Sequence, residues 1–123
     1  MSKYILEFEL LGLPKMTNPS GSKSTHWRGI KKERDHWIAM VAAIAKPKRP
    51  PAPLEKAKLT LTRYSSVCPD PDGLTSGFKA VVDSLVKSGI LQNDKMKNIG
   101  FPDYRWEKAP PGAGRVKIRV EEI

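Results

Sequence analysis

The sequence predicts a two-layer α+β domain in which two helices pack on a mainly antiparallel sheet. Three observations carry that reading. Segments with a two-residue hydrophobic period alternate with segments whose apolar residues recur every three to four positions. Their order, β-α-β-α-β-β, stacks helices against a sheet. A length of 123 residues suffices for one hydrophobic core and not for two, so 1–123 reads as a single domain.

The first strand is "KYILEFELL", where Tyr4, Leu6, Phe8 and Leu10 face one way and Glu7 and Glu9 the other. "PKMTNPSGSKSTHWRG" has no periodicity and many breakers, so it reads as a long loop, a length usually tied to function in small domains. From Ile30 to Ala45 the apolar residues Ile30, Trp37, Val41 and Ile44 give a helix that "KPKRPPAP" stops. In "EKAKLTLTRY" a second strand turns Ala57, Leu59 and Leu61 inward. Phe78, Val81, Val82, Leu85 and Val86 form the stripe of a second helix, predicted over 75–88, with Thr75 or Ser76 as N-cap and Gly89 closing it. Two final strands, near 96–107 and 114–121, flank the turn "APPGAG", and the last one sets Arg115, Lys117 and Arg119 opposite a core-facing Val116, Ile118 and Val120.

Twenty-two Lys and Arg against thirteen Asp and Glu leave a net charge of +9, which favours a polyanionic partner, nucleic acid before a membrane surface. No run approaches the roughly 20 apolar residues of a spanning helix. Lys3, Glu7 and Glu9 break any apolar signal core, so a soluble intracellular protein with no membrane partner is expected. The single cysteine, Cys68, excludes an internal disulfide or a cysteine-built zinc cage.

Against this basic background four of the six aspartates, Asp70, Asp72, Asp83 and Asp94, fall within 25 residues. Clustered carboxylates repel unless a cation compensates, and all-oxygen ligands select a hard ion: magnesium, with manganese as the alternative. A helix over 75–88 rises about 1.5 Å per residue, and an extended return over 89–94 at about 3.3 Å per residue brings Asp94 back toward Asp70 and Asp72. Lys79 leans to the same place, and Asp83 lies four residues on, as its ion-pair partner or as the group that orients it. Metal, lysine and helix start together describe phosphodiester hydrolysis, in which Lys79 stabilises transition-state charge. "DPDG" also overlaps a calcium-loop pattern, but Cys68 and Lys79 would stand where the first and last ligands belong. Asp-Pro and Asp-Gly are also ordinary turn chemistry.

The run "DPDGLTSGFKAVVDSLVKSGILQND" resembles the signature of the RusA family of crossover-junction endodeoxyribonucleases, an Asp-x-Asp-Asn turn followed by lysine, Asp-x-Leu and an acidic pair. Asp70, Asp72, Lys79, Asp83, Leu85 and Asp94 occupy those positions in order, and the seven-residue interval from Asp72 to Lys79 is similar to that of the phage-type branch. The signature spans about a fifth of the chain. The resemblance implies a homodimeric, magnesium-dependent nuclease that resolves four-way DNA (Holliday) junctions by paired nicks, acting in the cytoplasm on recombining DNA and needing no small-molecule cofactor. It implies metal ligands at Asp70, Asp72 and Asp94, catalytic roles for Lys79 and Asp83, and two active sites related by the symmetry of a dimer. Two positions depart from the family pattern: Gly73 stands for asparagine, and Asn93 for the first acid of the terminal pair. A degenerate, non-catalytic junction-binding protein is the alternative those departures favour.

Between Lys15 and Arg34 the chain carries Lys15, Lys23, Arg28, Lys31, Lys32 and Arg34 against the single acid Glu33, so this stretch is expected to track DNA phosphates. Trp27 has two readings, a ring stacked on a base or a packing anchor. His26 and His36 have no ligand spacing.

Overall fold

The structure, a computed structural model, describes residues 3–14 and 27–123, with side chains from residue 31 onward in the second stretch. Lys15, Lys23 and the side chain of Arg28, expected to contact DNA, and the side chain of Trp27, a candidate for such a contact, lie outside the described residues. In chain order the elements are β1 (Ile5–Leu11), α1 (Trp27–Ala45) with a 3-10 turn after it (Lys46–Lys48), β2 (Ala57–Ser65), α2 (Pro71–Gly77), α3 (Lys79–Lys87), α4 (Met96–Ile99), β3 (Asp103–Lys108) and β4 (Arg115–Glu122).

The α+β architecture is the expected one. Four strands form one sheet in the order β1-β4-β2-β3, with β4 antiparallel to both β1 and β2. β2 and β3 are parallel, which no hairpin can achieve, and α2, α3 and α4 provide the crossover between them. The alternation in the strands determines the register. Leu6, Phe8 and Leu10 stand opposite Val120, Ile118 and Val116, and the last strand meets Leu59 and Leu61 on its other side. All of these side chains are buried, each worth about 1.5–3 kcal/mol relative to exposure.

The helices close the same face. Trp37, Val41 and Ala45 recur every fourth residue along α1 and are buried, as are Val81, Val82 and Leu85 of α3. Where α1 and α3 meet, Ser84 is fully buried and its hydroxyl donates to the Ile38 carbonyl at 2.9 Å, so a small residue brings the helices together without an orphaned polar atom. Arg63 is less easily housed. It sits on the core side of β2, only 7% exposed; Nη1 donates to the Pro14 carbonyl at 2.9 Å, Nε has no partner, and burial pulls the guanidinium below its ordinary pKa.

α1 begins at Trp27, three residues before the expected Ile30, and two further elements differ more from the sequence expectation. The second helix starts four residues earlier than Thr75 and is broken in two at Phe78. Asp70 is the N-cap and Pro71 takes the first helical position, a pairing that outweighs the low helix propensity of Gly73 and Gly77. Phe78 is 1% exposed, with its ring 6.2 Å from that of Tyr104 in β3, so the break is fixed by packing. The strand expected near 96–107 begins only at Asp103, because residues 96–99 coil into α4. Among the described residues no helix is long and apolar enough to cross a membrane.

Candidate functional site at the start of the second helix

The stretch leaving β2 delivers Asp70 and Asp72 to the start of α2. Asp70 Oδ1 accepts a hydrogen bond of 2.7 Å from the Gly73 N–H, satisfying a donor that a helix start otherwise leaves open. Gly73 thus serves the cap through its backbone, whatever its side chain. The cap uses one carboxylate oxygen and leaves Oδ2 for another partner. Asp72 lies in the first turn, where negative charge suits the helix dipole, and it is exposed.

Lys79 opens α3 instead of lying inside a continuous helix, and it is exposed with no ion pair among the described residues. Asp83 turns away from it. Its Oδ2 receives Arg34 Nη2 of α1 at 3.0 Å, so the partner of Asp83 is Arg34, not Lys79. The Asp83 side chain is 17% exposed and that of Arg34 is 51% exposed, so the pair ties α1 to α3 while leaving the guanidinium partly open to solvent. Arg34, expected to meet phosphate, therefore has an internal anion already. Lys31 and Lys32 are exposed on the same helix.

Asp94 takes a different route from the one expected. The chain after α3 does not run back freely: Leu91 forms a parallel bridge with Leu54, with the Gln92 N–H bonded to the Leu54 carbonyl at 2.9 Å. Asn98 Nδ2 then donates to the Glu55 carbonyl at 2.9 Å. Asp94 is held between these two anchors, beside the residues that precede β2, whereas Asp70 follows the end of β2. The Asn93 side-chain oxygen, which could have been a neutral ligand, accepts from the Asp94 N–H at 2.8 Å.

Among the described residues no group of three or more His, Cys, Asp or Glu side chains could hold a metal ion. The carboxylates suit a hard divalent cation by chemistry, but Asp70, Asp72 and Asp94 as arranged in one chain do not complete a site for it. What the arrangement does provide is two exposed acids on a capped helix start, an unpaired ammonium at the following kink, and basic side chains along α1.

The register also locates the positive charge. The sheet face away from the helices carries Lys58, Arg105, Arg115, Lys117 and Arg119, and on the same face Glu7, Glu9, Asp103, Glu107 and Glu121. Five cations meet five anions. Glu7 binds Lys117 at 2.9 Å and Arg119 at 3.2 Å, Glu9 binds Arg115 at 3.1 Å, and Glu121 binds Arg119 at 2.7 Å. The hydrogen bond from Lys117 holds the Glu7 carboxyl below the ordinary glutamate value, and that from Arg119 does the same for Glu121. The row Arg115, Lys117 and Arg119, basic when read alone, is neutralised by its neighbours. This face is therefore balanced and contributes nothing to the chain's excess of +9. Glu7 and Glu9 alternate with the same period as Arg119 and Lys117, and that matched alternation was the signal in the sequence.

No model of a known family matches the chain, and no curated protein matches it either.

Proposed function

We propose that the protein is a structure-selective endonuclease acting on branched DNA, of the kind the RusA resemblance implies, with magnesium as its ion and a homodimer as its working form. The observation that carries this reading is the ordered set Asp70, Asp72, Lys79, Asp83 and Asp94 in a chain of net charge +9. The fold adds support: the exposed acids and Lys79 lie at the start and the kink of the second helix, with Lys31 and Lys32 exposed on the neighbouring α1.

Lys79 is the group best suited to meet charge developing on a phosphate, because an exposed, unpaired ammonium loses no internal partner when it turns to the substrate. Asp83 acts through Arg34, fixing α1 against α3 and so placing Lys31 and Lys32 beside the helix that carries Lys79. Bound divalent cation would contribute polarisation of the phosphate and activation of water.

A second reading, a non-catalytic junction-binding protein, is favoured by one specific observation: the three ligand candidates form no metal-holding group. A labelled four-way junction with and without magnesium separates the two. Paired nicks in opposite strands, lost in Asp72→Asn and Lys79→Ala with binding retained, are the expected result. Binding without magnesium-dependent cutting by the unaltered protein would establish the second reading.

A further inference from the structure

The link between α4 and β3 presents an aromatic ring to solvent on a rigid base. Phe101 is 88% exposed and Met96 is 59% exposed. A phenyl ring so placed in a mobile loop would mean little, but here both sides of it are fixed. On the N-terminal side Ile99 is buried in the core, Asn98 is pinned to the Glu55 carbonyl, and the Gly100 N–H is bonded to the Met96 carbonyl at 2.9 Å. Gly100 itself has φ 60° and ψ −148°, a region essentially reserved for glycine. A Cβ at Gly100 would meet nothing within 4 Å, so glycine is required for its backbone angle and not for space. On the C-terminal side Pro102 restricts the chain before it enters β3.

The segment leading to the ring is basic, and the acid that follows it, Asp103, is paired with Arg105 at 2.7 Å. Lys95 and Lys97 are exposed, and residues 95–101 contain no acid; Asp94 precedes them. An exposed aromatic with two exposed cations in the segment leading to it matches the chemistry of single-stranded nucleic acid, in which a base offers a π-face and its flanking phosphates offer negative charge. A base paired and stacked within duplex DNA offers no such face. Branch points and single strands do.

We infer that Phe101 is a stacking platform for an unstacked nucleic-acid base, with Lys95 and Lys97 as the cations for its phosphates. This rests on the proposed action on branched DNA and adds to it a surface that neither the acidic motif nor the basic stretch 15–34 supplies. It also accounts for the rigid mounting: a platform held by Asn98, Ile99 and Gly100 loses little freedom when a base docks on it.

The test uses the full chain, a four-way junction carrying 2-aminopurine at the crossover, and the same duplex arms as linear DNA. With the unaltered protein, binding the junction should change the fluorescence of the 2-aminopurine through stacking. Phe101→Ala should abolish that change and weaken junction binding about 5- to 150-fold, the loss of one stacked base, while leaving linear-duplex affinity unchanged. Phe101→Trp should restore both. Lys95→Ala and Lys97→Ala should weaken binding and lower the salt dependence by about one counterion each. Phe101 is exposed, so unchanged thermal melting of the alanine variant confirms that the fold is intact. Equal junction affinity and an equal fluorescence change in Phe101→Ala would overturn the platform while leaving the endonuclease reading in place. Loss of self-association in Phe101→Ala, measured by sedimentation, with the fluorescence change retained, would overturn it in favour of a contact between copies. Failure of the unaltered protein to bind any junction would remove the functional reading and the platform together.

Discussion

Asp70 is the residue at which a structural role and a catalytic role can be pulled apart by experiment. Asp70→Ala removes the acceptor for the Gly73 N–H, a bond of 2.7 Å at an N-cap. Loss of an N-cap acceptor costs about 1 kcal/mol, within a range of roughly 0.5–2. An unfolding entropy of about 2.1 cal/mol/K per residue, applied to 123 residues, converts this to a fall in Tm of about 4 °C. Asn caps as well as Asp, so Asp70→Asn should melt within about 1 °C of the unaltered protein. Thermal unfolding followed by circular dichroism, paired with junction cleavage in magnesium, reads both roles from the same two variants. Asparagine should preserve the fold and abolish cutting, because it keeps the cap and removes the charge. An alanine variant that melts at the unaltered temperature would refute the cap. An asparagine variant that cuts normally would refute the proposed role of the carboxylate in hydrolysis.

Three further outcomes follow from the ion pairs. A double-mutant cycle of Arg34→Ala and Asp83→Ala should show a coupling of about 0.5–1 kcal/mol that shrinks as salt is raised, since one partner is half exposed; denaturant titrations at low and high salt measure it. Glu7, Glu121 and Asp103 all have lowered pKa values from hydrogen bonds to Lys117, Arg119 and Arg105 respectively. A depressed folded-state value gives stability that is present above the unfolded value and lost as pH falls through the folded one, so Tm should be flat through neutral pH and decline as pH falls from the ordinary carboxylate value through the lowered ones, less steeply in Glu7→Gln. Finally, Lys117→Ala, on the neutral sheet face, should leave DNA affinity and its salt dependence unchanged, as read by fluorescence anisotropy. A shallower salt slope would put DNA on that face.

The first and last strands were legible because their two-residue period is complete: Leu6, Phe8 and Leu10 of β1 and Val116, Ile118 and Val120 of β4 are all buried, and Tyr4 just before β1 is partly so. The sheet order was not legible, since β4 enters between β1 and β2 through contacts that no local pattern encodes. The start of the second helix was misread although its signal was present. Asp70-Pro71 is an N-cap followed by a first-turn proline, but two glycines in the next seven residues argued for a turn, and the cap with tertiary packing outweighed their propensity. The path leading to Asp94 was not legible for a different reason. Free extended chain has the reach for it, but the pairing of Leu91 with Leu54 spends that segment on the sheet side. In the same way the partner of Asp83 lies 49 residues away in α1, beyond any helical spacing rule.

Asp70 can serve both masters because a carboxylate has two oxygens and the cap occupies one. A cation drawn to the remaining oxygen would also sit at a helix start whose dipole opposes positive charge, and Asp72 in the first turn offsets that opposition. The two acids are therefore more than the helix needs: one cap suffices for the Gly73 N–H, and the second lies exposed in a chain that otherwise carries a surplus of nine positive charges. α1 and α3, which the Arg34–Asp83 pair ties together, carry Lys31, Lys32 and Lys79, all exposed. Under the proposed function a DNA phosphate drawn to those cations would also meet the two acids, which repel it unless a cation intervenes. DNA binding should accordingly tighten when magnesium is added to the unaltered protein, at constant ionic strength, and lose that dependence in Asp72→Asn. Equal magnesium dependence in the two proteins would place the ion elsewhere on the DNA and leave Asp72 with the helix dipole alone.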